Sequence, residues 1–123
     1  MRFIPTRVHG VLDYLVGIVL IAWPLIARYS MDSAEALVPL ILGIGAIGYS
    51  LFTDYELSVV RSIPMPVHLG LDMGSGILLA ASPWLFGFAD RTWAPHLIIG
   101  LFEIGASLCT RTVPDTGRAT VRR

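Results

Sequence analysis

Lysine is missing from this chain: all nine basic residues are arginines, and nine acidic residues balance them to a formal charge of zero. No basic run occurs before the last few positions, which argues against nucleic-acid binding, because phosphate recognition needs clustered cations. Only 15% of the 123 residues are charged, against about 25% in soluble domains. The single cysteine, Cys109, lies in an apolar stretch, so neither an intramolecular disulfide nor a thiolate metal site can form. Also missing are GxSxG, a P-loop, a glycine-rich dinucleotide turn, CxxC and HExxH, and the segments between apolar runs are too short for a soluble catalytic subdomain. These absences favour a protein with no catalytic role; only chemistry on a lipid or at a bound redox cofactor would fit an enzyme.

What is present is apolar. Hydrophobic residues make up 54% of the chain, and the mean hydropathy is +0.70. The charges leave four windows, at about 8–27, 36–53, 62–89 and 92–110, each near or above the ~20 residues that cross a ~30 Å hydrocarbon core. The expectation is an all-α, four-transmembrane-helix bundle forming one membrane domain over 1–123. With an even number of spans, both termini and the central loop share a side. That side holds Arg2, Arg7, Arg61, Arg111, Arg118, Arg122 and Arg123, whereas the opposite loops hold Arg28 and Arg91, so the positive-inside rule puts both termini in the cytoplasm. Arg2 and Arg7 ahead of the first window imitate a secretory signal, but Asp13 interrupts that window and the same pattern returns in mid-chain. The polar, basic tail 113–123 is expected to be disordered or to lie loosely against lipid headgroups.

The pattern that returns is an internal repeat. Laying Ile4-Pro5-Thr6-Arg7-Val8-His9 over Ile63-Pro64-Met65-Pro66-Val67-His68 aligns Asp13 with Asp72, Gly17 with Gly76 and Pro24 with Pro83. With a two-residue slip, Gly43, Ile47, Gly48, Ser50, Leu51 and Thr53 fall on Gly100, Ile104, Gly105, Ser107, Leu108 and Thr110. A two-helix hairpin is written twice, over about 3–56 and 62–112. Both copies enter the bilayer from the same side, so the expected symmetry is a pseudo-two-fold axis along the membrane normal.

Ala81-Ser82-Pro83-Trp84-Leu85-Phe86-Gly87, following His68-x-x-x-Asp72, resembles the SPW-repeat family of small bacterial integral membrane proteins, in which Ser-Pro-Trp closes the first helix of each two-helix repeat. The first copy departs from the motif, reading Ala22-Trp23-Pro24-Leu25. The resemblance covers about residues 3–112 and implies a multi-pass protein of the bacterial inner membrane, with no established activity attached.

Pro24 and Pro83 stand near the outer ends of spans 1 and 3, where a proline removes a backbone donor and ends or kinks a helix. Trp23, Trp84 and Trp93 fit an aromatic belt at headgroup depth, with a ligand-facing vestibule as the alternative. Small residues crowd spans 2, 3 and 4, and Gly70 to Gly74 has the GxxxG spacing of close helix packing, within the bundle or with a second copy.

The ionisable residues are the candidates for a site. His9 and Asp13 stand four apart, as do His68 and Asp72, so each pair shares one helix face. Asp13 and Glu103 both fall roughly 9–12 Å inside the cytoplasmic boundary at ~1.5 Å per residue, and the repeat puts Asp72 at the same depth. Charges there cost about 2.5–3.5 kcal/mol each, less near the interface, so they should turn inward and pair. The leading reading is a structural polar clasp in which the His–Asp pairs hold the hairpins together across the pseudo-axis and Glu103 accepts from a neighbouring helix. The protein would then be a structural or accessory subunit of a larger membrane complex, or a self-associating homo-oligomer. Three alternatives use the same residues. Asp13, Asp72 and Glu103 would line a proton or cation path in an oligomeric transporter or channel. His9 and His68 would ligate haem b axially, or hold a divalent metal with the carboxylates. His96, after Pro95 and opposite Pro39 of the first copy, reads as an interfacial side chain; Asp54, Tyr55, Glu56 and Arg61 read as the surface of the central loop.

Overall fold

The computed structural model describes residues 1–114 and is all-helical, with four helices and no strand among the described residues: α1 (Thr6–Ile26), α2 (Ala34–Leu51), α3 (Met65–Leu85) and α4 (Ala94–Cys109). The expectation for the tail falls almost wholly outside the described residues. α1 packs along α2 and α3 along α4, giving two helical hairpins, and the hairpins join chiefly through α2 and α3.

Each helix starts and stops where its prolines and glycines direct. Pro5 and Pro64 sit at the N-caps of α1 and α3 in nearly the same extended conformation, with φ/ψ of −62°/148° and −60°/146°. Pro66 and Pro95 occupy the first turns of α3 and α4, where the missing N–H costs nothing. Pro24 and Pro83 lie inside their helices and not at the break. Both helices run two residues further and close with a left-handed residue, Arg28 (φ 60°) and Gly87 (φ 73°). The amides of Tyr29 and Phe88 then return to the Pro24 and Pro83 carbonyls at 2.9 and 2.8 Å, the six-to-one bond that caps helix C-termini.

The serine of Ser-Pro-Trp has a physical task in this setting. Pro83 cannot donate to the Leu79 carbonyl four residues back, and Ser82 Oγ donates to that same oxygen at 2.7 Å. In the first copy Trp23 replaces the serine and its indole N–H reaches Tyr29 Oη at 3.1 Å instead. Trp84 and Trp93 are exposed, with ring centroids 6.3 Å apart.

Glycine sets the closeness of each hairpin. A Cβ on Gly43 would sit 2.8 Å from the Gly17 carbonyl oxygen, and one on Gly100 would sit 2.6 Å from the Gly76 carbonyl oxygen. Of the two packings expected for the GxxxG spacing, the one within the bundle is not seen: Gly70 and Gly74 have nothing within 4 Å of an added Cβ among the described residues.

By length and composition, α1 and α2 qualify as membrane spans. α3 equals α1 in length, but His68, Asp72 and its glycines lower its hydropathy, and α4 has 16 residues, about 24 Å at 1.5 Å per residue. All four helices nevertheless turn large apolar side chains outward, among them Leu15 and Ile18, Ile41 and Ile44, Val67 and Ile77, and Ile98 and Leu101. The buried positions between them are rich in His, Asp, Glu, Ser and Thr.

Candidate functional site

The polar interior converges at the end of the bundle that carries the N-terminus and the central loop. There the first residues are tied to the end of α4. The amides of Phe3 and Ile4 donate to the Cys109 carbonyl at 2.8 and 2.9 Å, and the Arg111 amide donates to the Ile4 carbonyl at 2.9 Å. Arg2 Nη1 donates to the carbonyls of Ser107 and Thr110 at 2.8 and 2.7 Å. The second hairpin has the matching contact, in which the Ile63 amide donates to Phe52 and the Asp54 amide to Ile63, both at 2.7 Å. These ties bring Thr110 beside α1 and Thr53 beside α3.

His9 and Asp13 of α1 and His68 and Asp72 of α3 meet at that level, all four buried. His9 Nε2 is 2.7 Å from Asp72 Oδ2 and 3.0 Å from Asp13 Oδ1. His68 Nε2 is 2.9 Å from Asp13 Oδ2 and 3.1 Å from Asp72 Oδ2. The His68 contacts are at ion-pair distance but off the hydrogen-bonding direction, so this nitrogen has no aligned partner. The other ring nitrogens are held by hydroxyls: His9 Nδ1 lies 2.7 Å from Thr110 Oγ1, and His68 Nδ1 lies 2.7 Å from Thr53 Oγ1. The imidazoles meet edge to face with centroids 5.6 Å apart, and the carboxylates fill the space facing both Nε2 atoms, where a porphyrin would have to lie.

Two tyrosines complete the cluster, and sequence reasoning missed both. Tyr49 of α2 donates to Asp72 Oδ1. Tyr55, expected on the loop surface, is fully buried and donates to Asp13 Oδ2 at 2.8 Å. Burial and the Asp13 charge push the Tyr55 hydroxyl well above its ordinary pKa, so it remains a donor. Both rings flank His68, with centroids 5.0 and 5.2 Å from it. Nothing in the spacing marked these tyrosines, and Thr53 and Thr110, the hydroxyls behind the histidines, stood in the sequence only as matching positions of the repeat.

Glu103 comes to the same level without joining the hydrogen bonds. Its buried Oε1 has no hydrogen-bond partner among the described residues, so the expected acceptance from a neighbouring helix is not seen at that oxygen. It faces a cavity of about 20 Å³ whose lining includes His9, Asp13, Asp72, Phe102 and Ala106, room for about one water.

The opposite end of the bundle holds a second polar group. Arg91 reaches across the hairpins to Glu35 with a forked contact, Nε to Oε2 at 2.9 Å and Nη2 to Oε1 at 2.8 Å. The hydrogen bond to Glu35 raises the Arg91 pKa further, so the charge persists. His96 is buried rather than interfacial, at 2% exposure. Pro39 leaves the Glu35 carbonyl without its helical donor, and His96 Nε2 donates to it at 3.0 Å.

An all-helical fold with an apolar exterior and an ionisable interior defines a class of small membrane proteins. The SPW repeat domain family matches residues 7–110, and the chain belongs to that family. Neither a curated protein nor a solved structure matches it.

Proposed function

We propose that this protein is a non-catalytic, four-span bundle of the bacterial inner membrane, built from a duplicated hairpin, whose His9–Asp72 and His68–Asp13 pairs hold the two halves together. The observation that carries the reading is this exchange of partners: each hairpin's histidine reaches the other hairpin's aspartate. Support for four crossings comes from the outward apolar faces of all four helices, since only lipid makes that exterior and a charged interior favourable together. The corresponding caps at Arg28 and Gly87, and the close glycines Gly17–Gly43 and Gly76–Gly100, support duplication about an axis along the membrane normal. The bilayer is the primary partner, and the open Gly70–Gly74 face of α3 is where a second copy or a larger complex would pack.

The arginine distribution supports a cytoplasmic side for both termini and the 52–64 loop. Single cysteines at Val59 and Asp90, in a Cys109→Ala background, test this with a membrane-impermeant thiol reagent. The Asp90 position is expected to label from outside intact cells and the Val59 position only after lysis. Labelling of both from one side would overturn the four-span reading.

The unpartnered Glu103 in its cavity favours a second reading, a proton or cation path in an oligomer through Asp13, Asp72 and Glu103. Flux in liposomes that disappears in Glu103→Gln, with melting temperature preserved, would establish it over the clasp.

A further inference from the structure

The tetrad has the donor types, ring orientations and spacing of a metal centre, and we infer that His9, Asp13, His68 and Asp72 bind one divalent transition ion, zinc by preference. The inference rests on the clasp reading only in taking these four side chains to converge between the hairpins.

Hydroxyl geometry fixes which nitrogen each histidine turns inward. A threonine hydroxyl has one proton, and Thr110 Oγ1 donates it to the Ala106 carbonyl at 2.6 Å while Thr53 Oγ1 donates to the Tyr49 carbonyl at 2.7 Å. Toward the histidines both hydroxyls therefore accept, and each Nδ1 is the donor. Nε2 is then the nitrogen turned to the carboxylates; at 2.7–3.1 Å from their oxygens it carries a proton in the metal-free protein, and a bound cation takes that proton's place. Metal-binding histidines are oriented in this way, with the far nitrogen anchored by an oxygen. The carboxylates are anchored as well: Tyr49 holds Asp72 Oδ1 and leaves Oδ2 inward, and Tyr55 holds Asp13 Oδ2 while Oδ1 faces His9.

Spacing agrees with a tetrahedral ion. One ligand atom from each residue lies within 4.8 Å of all the others, and the nitrogen–oxygen contacts run from 2.7 to 3.1 Å. Zinc bonds of about 2.0–2.1 Å set ligand atoms roughly 3.3 Å apart, so the close nitrogen–oxygen pairs have to open by a few tenths of an ångström and the widest pairs to draw in. An independent sign is His68 Nε2, fully buried, aimed into the cluster and without an aligned hydrogen bond. Buried polar nitrogens are rarely left so.

Chemistry narrows the ion. Two imidazole nitrogens exclude a calcium or magnesium cage, which uses oxygen throughout, and the lack of thiolates excludes copper(I). Two carboxylates cancel a divalent charge, which leaves a neutral centre where net charge would be costly. The cavity lined by His9, Asp13 and Asp72, with Glu103 on its wall, supplies the approach.

The test uses the full chain, purified in detergent with its affinity tag removed, stripped with chelator and titrated with Co²⁺. The expected result is one ion per chain, the intense visible bands of tetrahedral Co²⁺, and their loss when Zn²⁺ is added. Asp72→Asn and His68→Gln should abolish the bands, and His96→Gln should leave them intact. Thr110→Val, which removes the hydroxyl that anchors His9 and touches no ligand atom, should weaken binding by roughly 10–100-fold; this titration decides the matter if the ligand variants fail to fold. Absent bands, or bands that survive His68→Gln, overturn the metal site. If the metal site fails but Asp72→Asn still lowers the melting temperature of metal-free protein, the clasp stands alone. If melting is also unchanged, both readings fail.

Discussion

His9 Nε2 and Asp72 Oδ2 lie 2.7 Å apart across 63 positions of sequence, and this contact joins α1 of one hairpin to α3 of the other. Removing one partner of a buried pair strands the other, at a cost of about 3–5 kcal/mol in protein interiors. Asp72→Asn is therefore expected to lower the melting temperature of detergent-purified protein sharply. His9→Gln combined with Asp72→Asn should cost less than the sum of the two, whereas His9→Gln and His96→Gln should be additive. Additivity in the first pair would show that the contact does not join the hairpins.

Ser82 and Pro83 give a second cycle. Ser82→Ala leaves the Leu79 carbonyl without the 2.7 Å bond it receives from the hydroxyl, a loss of about 1 kcal/mol. In a Pro83→Ala background residue 83 regains an N–H that bonds the same carbonyl, and the serine deletion should become nearly silent. Equal costs in both backgrounds would refute this account of the motif.

Glycine substitutions should split by position. Gly100→Ala places a methyl 2.6 Å from the Gly76 carbonyl oxygen and the Ala80 nitrogen, backbone atoms that cannot step aside, so a loss of about 1–3 kcal/mol is expected. Gly74→Ala meets nothing within 4 Å and should hold or gain stability by up to ~1 kcal/mol from helix propensity. Thermal melting of the two variants side by side checks the difference.

At the other end, Arg91→Ala removes the forked contact to the nearly buried Glu35 carboxylate. Melting temperature should fall, and because the arginine is open to solvent the difference from wild type should shrink as salt rises. A salt-independent difference would point to lost packing of the arginine stem instead.

The spacing of His9 to Asp13, its recurrence at His68 to Asp72, and the apolar windows were legible because helical periodicity and repetition encode them directly. Tyr49 and Tyr55 were not, since a tyrosine reads as apolar in any hydropathy pattern and its partner is set by how the central loop folds back. His96 was misjudged because the cause of its burial, the donor missing at Pro39, lies on another helix. Gly70 and Gly74 show the reverse: their spacing resembles a packing motif, whereas the intimate contacts within the bundle belong to glycines aligned by the repeat, Gly17 with Gly76 and Gly43 with Gly100.

The two histidines occupy matching places in their halves, yet their surroundings differ. α2 lies close to α3, while α1 and α4 stand further apart with the small cavity at His9 between them; His68 is shut in by Tyr49 and Tyr55. One imidazole has a doorway and its twin does not. Whatever exchanges with this centre, be it hydrogen isotope, water or ion, has to arrive and leave on the His9 side, so the two rings will report on the outside world at unequal rates.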